Sequence, residues 1–335
     1  MKIIVPMAGM GKRMRPHTLT VPKPLVPIAG KPIVQRLVED IAKVCAEPIE
    51  EVAFIIGDFG KEVENRLLKI AESVGARGTI SYQDKPLGTA HAILCAKESL
   101  EGNVVVAFAD TLFKADFTLD TSADGTIWVQ QVEDPRPFGV VKLNDSGEIT
   151  DFVEKPEHFV SDLAIIGIYY FKDGAYLREE LQYLLDNNIL DKGEFQLTNA
   201  LENMKNKGTR FIPGKISEWL DCGNKDATVY TNQRYLSYLQ DSDGLISQTA
   251  RINNSVVIPP VFIGENAILD NAVVGPYVSV GNGTQISDSV ISNSIVQENT
   301  VIKFANITNS MLGSFVNYKG TQADLSLGDY NALKE

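Results

Sequence analysis

The chain has 335 residues, more than one typical hydrophobic core holds, so its length predicts two domains. Its 31 basic and 43 acidic residues give a formal charge of −12, which argues against a general nucleic-acid binder but not against a local phosphate pocket. Cys45, Cys95 and Cys222 have no metal-type spacing and lie in apolar surroundings; buried free thiols in a reducing cytoplasm are expected. No apolar run is long enough to span a bilayer and residues 3–5 are too short for a signal segment, so no membrane partner is expected.

Residues 2–5 read as a buried parallel strand. The glycine-rich loop Pro6-Met7-Ala8-Gly9-Met10-Gly11-Lys12-Arg13 follows. Such a turn lets backbone N–H groups approach phosphates without Cβ clashes, and Arg13 adds a positive fork. The loop lacks the third glycine of a dinucleotide fingerprint, since Met14 stands there, and lacks the ending of a P-loop. Next come Pro22-Lys23-Pro24 and Pro27, whose fixed φ values stiffen the segment that presents Lys23. Pro32 marks a helix start, with Ile33, Leu37, Ile41 and Val44 at helical spacing.

Strands are predicted over 51–57 and 79–83, the second running into Gln83-Asp84-Lys85-Pro86-Leu87-Gly88-Thr89 and a helix through Leu100. Gln83 carries a donor and an acceptor and could read a base edge, with Gly88 letting the base lie against the backbone. Residues 104–110 form the clearest buried strand, with the carboxylate of Asp110 at the sheet edge where α/β folds bind ligands. Alternation of strand and helix to this point predicts a doubly wound sheet.

Strands over 126–132, about 139–143, 149–153 and 164–171 follow; the third ends in Glu154-Lys155-Pro156 and the last is interrupted by Gly167. Glu154 and Lys155 would point to opposite faces in a strand, whereas in a turn both could reach one ligand. Helices are read over 177–185, 195–206 and 226–239, and Trp219-Leu220-Asp221-Cys222-Gly223 places a second Asp after apolar residues. Residues 240–244 are the strongest boundary signal, giving domains over 1–240 and 246–320 and a tail over 321–335. In the second domain β-branched residues recur every six positions, as in Ile268, Val274, Val280 and Ile286, and then Val290, Val296 and Ile302. That period is the signature of hexapeptide β-helix coils, three hexads to a turn, about four turns in all. A solenoid end invites capping or self-association, so a homo-oligomer is expected.

Together, Gly9-x-Gly11-Lys12-Arg13, Pro22-Lys23-Pro24, residues 83–89, Asp110, Glu154-Lys155-Pro156, Gly167 and Trp219-x-Asp221-x-Gly223 resemble the sugar-1-phosphate nucleotidyltransferases. The best likeness is to glucose-1-phosphate thymidylyltransferases with a left-handed β-helix tail. The resemblance implies an α/β fold with a Rossmann-like, GT-A-like mixed sheet flanked by helices, followed by a left-handed parallel β-helix. It implies that Ala8, Gly9 and Gly11 wrap a triphosphate, that Arg13 braces the leaving pyrophosphate, and that Lys23 sits on the phosphates at the point of attack. Gln83 and Gly88 would read the pyrimidine, Asp110 and Asp221 would hold Mg²⁺, and Gly139, Glu154, Lys155 and Gly167 would hold the sugar phosphate.

Lys12 and Ala109 stand where the family usually has Thr and often has Gly, which leaves dTTP and UTP both open; Asn224 also departs from the family's frequent Thr. The chemistry agrees with the inventory. A sugar 1-phosphate is largely dianionic near neutral pH, with a second pKa of about 6, and needs positioning and charge neutralisation rather than a catalytic His. No His follows His158, so the tail is read as structural rather than as an acetyltransferase. A non-catalytic scaffold subunit would be expected to have lost Arg13, Lys23, Asp110 and Asp221, and a glycosyltransferase explains the Arg13 and Lys23 pair less well than a triphosphate substrate does.

Overall fold

The computed structural model of the chain describes residues 1–9, 11–115, 118–321 and 326. Met10 of the first loop and the expected tail over 321–335, apart from Thr321 and Ser326, lie outside the described residues. The chain divides into two compact units, Met1–Val26 with Lys31–Ala227, and Pro27–Gly30 with Thr228–Glu335.

In chain order the first unit contains β1 (Lys2–Pro6), α1 (Ile33–Val44), β2 (Glu51–Ile56), α2 (Lys61–Ser73), β3 (Arg77–Tyr82) and α3 (Thr89–Leu94). Then come β4 (Val104–Ala107), β5 (Thr111–Lys114), β6 (Gly125–Gln131), β7 (Gly139–Leu143), β8 (Ile149–Glu154) and β9 (Leu163–Phe171). The unit closes with α4 (Gly174–Asp186), α5 (Leu197–Asn206), β10 (Phe211–Gly214) and β11 (Glu218–Asp221). The main sheet runs β8-β7-β9-β4-β1-β2-β3, with β6 pairing β9 and β10. Its apolar centre explains why these strands form: Ile3, Ile4, Val5, Val104 and Val106 are fully buried.

The sheet is parallel from β4 through β1 and β2 to β3, with Lys2 opposite both Glu51 and Val104. On the other side β9 pairs antiparallel with β4, which makes the sheet mixed. The pairing of β9 with β6 breaks register between Ile165 and Tyr169, at Gly167, whose φ is +88°. The Gly167 carbonyl accepts from Phe108 N at 2.9 Å, and strand β4 stops at Ala107 rather than at Asp110 as the apolar run suggests.

The expected long helix after Gly88 is also shorter. It ends at Leu94, and a 3₁₀ turn at Lys97–Ser99 follows, from which the buried Ser99 hydroxyl donates to Glu51 Oε1 at 2.7 Å. Cys222 is buried as expected, but Cys45 and Cys95 are only partly so, and burial still pushes the Cys45 thiol up to about 11. No helix among the described residues is long and apolar enough to cross a membrane.

The second unit takes up most of α6 (Lys225–Leu239), which the boundary at 240 assigns to the first domain. Thr228, Thr231 and Asn232 on this helix are fully buried. The Asn232 Oδ1 accepts from Ala29 N at 2.9 Å and Ser279 Oγ at 2.7 Å, which explains why residues 27–30 and the helix join this unit.

Beyond α6 the short strands stack into three parallel sheets of five, four and four strands among the described residues. These are the three faces of a β-helix, as expected of left-handed hexapeptide coils. Each coil is shorter than three hexads. Ile252, Leu269, Ile286, Ile302 and Tyr318 stack, so the steps are 17, 17, 16 and 16 residues. The shortened sides shift the inward phase. Ile263 and Leu269, also six apart, and Val274, Val280, Ile286, Val296 and Ile302 are buried as the six-residue reading expects, whereas Ile268 is half-buried and Val290 is 46% exposed beside a fully buried Ile291, a correction at those two positions. Corner residues with positive φ, among them Asn254, Asn271, Asn293 and Asn309, turn the chain, and their amides ladder from coil to coil at 2.9 Å between Asn254 and Asn271. On this packing, Ile291→Ala costs about 2–5 kcal/mol and Val290→Ala under about 1 kcal/mol in the unfolding of the β-helix, read by denaturant titration. The reverse order would restore the strict hexad phase.

Candidate active site

The site forms at the carboxyl ends of β1 and β4, the central parallel strands. After β1, Gly11 adopts φ +56°, and its carbonyl accepts from the Thr18 hydroxyl at 2.8 Å. A Cβ on Gly11 would lie 2.9 Å from the Lys23 Cβ, so the glycine permits the close approach of that lysine. The chain then makes a 3₁₀ turn, Lys12–Met14, with Met14 fully buried beneath it and Arg13 exposed. Met14 therefore anchors the loop where a dinucleotide fingerprint would have glycine.

Lys23 sits on a second 3₁₀ turn, Lys23–Leu25, behind Pro22. It is 7% exposed, and its ammonium donates to Asp110 Oδ2 at 3.0 Å. The carboxylate compensates the buried charge. Asp110 stands on the turn between β4 and β5, and β5 pairs antiparallel with β11, placing Asp221 opposite Thr111. Cys222 N donates to the Asp110 carbonyl at 3.0 Å, and Asp221 Oδ1 accepts from Gly223 N at 2.9 Å. Burial and then the neighbouring Asp110 raise the Asp221 pKa, while Lys23, the Gly223 N–H and Arg13 act the other way.

A cavity of about 560 Å³ opens over these groups. Ala8, Gly9, Gly11, Arg13, Lys23, Gln83, Gly88 and Asp110 line it together with Lys12 and Glu194; from the β11 side Gly223 reaches its wall and Asp221 does not. Gly88 has φ +114°, and a Cβ there would lie 2.4 Å from the Phe195 carbonyl. The 86–90 loop is thus pressed against residues 194–196, with Phe195 N donating to Leu87 O at 2.8 Å and Ala90 N to Phe195 O at 2.9 Å.

A second cavity of about 180 Å³ adjoins the first, sharing Thr89 and Phe108 as walls. Gly139, Glu154 and Gly167 line it. Gly139 and Glu154 are paired across β7 and β8, and Thr198 Oγ1 donates to Glu154 Oε2 at 3.3 Å. Lys155 lines neither cavity. It leaves the strand with φ +43°, its backbone N donates to Phe138 O at 3.1 Å, and its half-exposed ammonium lies 3.5 Å from Glu154 Oε1.

Sequence reasoning missed Thr89, Gln196 and Thr198. The Thr89 hydroxyl donates to Gln196 Oε1 at 3.1 Å and accepts from Leu197 N at 2.9 Å, tying the wall between the cavities to the start of α5. A polar pair, Gln196 and Thr198, flanking the apolar Leu197 at a helix start was the available signal.

Residues 2–237 match the family described as Nucleotidyl transferase. The chain is 31% identical over 245 residues to the low-salt glycan biosynthesis nucleotidyltransferase Agl11 of Haloferax volcanii, covering 70% of this chain and 66% of that one. It therefore spans just under two thirds of that relative's length. It is also 31% identical over 302 residues to a glucose-1-phosphate thymidylyltransferase of Streptomyces antibioticus, covering 87% of this chain and 81% of the relative. Among solved structures, UDP-glucose pyrophosphorylase complexed with UDP-glucose shares the fold with a TM-score of 0.56 at 24% identity, over 71% of this chain and 98% of that one. The chain belongs to the nucleotidyl transferase family, the family that its resemblance to sugar-1-phosphate nucleotidyltransferases implied.

Because the Asp221 pKa is raised in the fold, the folded chain holds this proton over a pH range where the unfolded chain has released it. Its ionisation therefore lowers stability as pH rises. Asp221→Asn is expected to raise the melting temperature at pH 7–8, with a difference that narrows as pH falls toward about 4, the ordinary Asp range. A variant less stable than the parent at neutral pH would contradict this.

Proposed function

We propose that the chain transfers a nucleotidyl group from dTTP or UTP to a sugar 1-phosphate, with glucose 1-phosphate the expected acceptor, giving a nucleotide sugar and pyrophosphate. The observation that carries this reading is the Lys23–Asp110 pair in the larger cavity, beside a second cavity that shares a wall with it. Two anions must be brought together, and the larger cavity holds Lys12, Arg13 and Lys23 in its wall. In this reading the first loop receives the triphosphate, Arg13 braces the departing pyrophosphate, and Lys23 meets the phosphate under attack. Gln83 and Gly88 face the base. Gly139, Glu154 and Gly167 receive the sugar phosphate, with Glu154 accepting from hydroxyls.

The donor set suits Mg²⁺. Asp110 and Asp221 are two oxygen ligands whose mutual repulsion contributes to the raised Asp221 pKa, and among the described residues no cluster of three or more His, Cys, Asp or Glu forms a closed cage. Two carboxylates would leave the remaining positions of the cation to water and substrate phosphates. When bound there, Mg²⁺ would offset phosphate charge during in-line displacement. The attacking oxygen needs no general base, since the sugar phosphate arrives largely ionised. Lys155 enters this reading as a residue that reaches a ligand by leaving Glu154. The β-helix is proposed to be structural and to carry self-association.

Lys23→Ala is expected to lower kcat at least about a hundredfold, as for loss of a charge contact to the transition state. Turnover like that of the parent chain would remove Lys23 from the mechanism. Pyrophosphate release from dTTP or UTP is expected to require the sugar phosphate and to stop with chelator. Asp110→Asn and Asp221→Asn each should raise the Mg²⁺ concentration needed for half-maximal rate, and an unchanged requirement in either would exclude that residue as a ligand.

A further inference from the structure

The backbone of Gln83 is fixed at the end of β3, its N–H donating to Ile56 O at 2.8 Å, and its side chain lines the larger cavity. Its amide nitrogen has two partners. Nε2 donates to the Gly88 carbonyl at 3.3 Å and meets His91 Nδ1 at 3.1 Å. Both amide hydrogens are thereby used, which leaves Oε1 as the acceptor presented by this side chain. Turning the amide over would set Oε1 against the Gly88 carbonyl, which is an acceptor whichever tautomer His91 adopts. His91, in the first turn of α3, must accept through Nδ1, which requires the neutral ring protonated at Nε2. Partial burial favours that neutral ring by lowering its pKa.

We infer that His91 is a positioning residue that locks the Gln83 amide with its carbonyl toward the base, so that the cavity selects uracil or thymine over cytosine. This rests on the reading of the larger cavity as the nucleotide site. Uracil and thymine carry an N–H at N3, which can donate to Oε1, whereas cytosine N3 is a bare acceptor and would face the carbonyl lone pairs. Specificity of this kind comes from leaving the wrong base with an unpaired polar contact.

The test compares the parent chain with His91→Leu and His91→Asn, because an Asn Oδ1 can stand near the Nδ1 position. Dissociation constants for UTP, dTTP and CTP are measured by calorimetry without sugar phosphate, and kcat/KM with glucose 1-phosphate and Mg²⁺. The expected result is that His91→Leu lowers the preference for UTP and dTTP over CTP about tenfold, roughly the worth of one hydrogen bond, in binding and KM rather than kcat. His91→Asn should keep most of the preference. Unchanged discrimination in His91→Leu, equal loss in both variants, or a parent chain that binds CTP as well as UTP would overturn the inference. If nucleotides bind with the expected discrimination and its loss in His91→Leu but no pyrophosphate is released, the inference stands and the proposed reaction falls.

Discussion

The buried ammonium of Lys23 is the constraint around which the first unit is arranged. Its charge is almost fully desolvated, so it requires a carboxylate, and Asp110 supplies one at 3.0 Å. Asp110 in turn lies close to Asp221, and two carboxylates sharing a partly buried site repel. Lys23 lowers that repulsion from one side. Three chain segments distant in sequence must meet for this arrangement: the loop after β1, the turn after β4 and the end of β11. Gly11 is needed because a Cβ there would displace the lysine, and Gly167, at φ +88°, occupies the register break of β9. In the proposed reaction, a phosphate oxygen entering the cavity would compete with Asp110 for the same ammonium.

A thin wall divides the site into two compartments. Thr89 faces both cavities, and its hydroxyl is held from behind by Gln196 and Leu197. Gln196 is buried, so this is a satisfied polar link rather than a solvated contact. The same segment presses on Gly88, which leaves the 86–90 loop little freedom to move independently of α5. Geometry between two bound anions would thus be set by one short stretch, residues 194–198. That stretch was read from sequence only as part of a helix.

The legible parts of the sequence were those in which one residue carries both local geometry and chemistry. Apolar runs such as 104–107 announce parallel strands because both faces are covered, and a carboxylate just beyond one is conspicuous. Gly9, Gly11 and Lys23 stood out for the same reason. The less legible features depend on partners far along the chain. Glu154 and Lys155 could face apart in a strand or share a ligand in a turn; Lys155 leaves the strand with a left-handed backbone and lines neither cavity, and no sequence rule fixes φ for a lysine. In the β-helix the period and most of the phase were visible, but not at every coil. Coils of 17 and then 16 residues drop one or two positions per turn, so a strict count of six names Val290 where Ile291 is the inward side chain. The boundary at 240 followed turn residues, whereas the buried polar face of α6 follows Asn232 and its two hydrogen-bond donors.

The site also shows where local preference yields to function. Asp221 would be easier to fold as a neutral side chain, because burial and Asp110 both disfavour its charge. The chain tolerates it through the Gly223 N–H and the cations Lys23 and Arg13, which soften the penalty without abolishing it. Asp221 is thus a carboxylate beside a second carboxylate and among cations. In the reading proposed above, the negative charge would serve a cation beside the cavity of about 560 Å³.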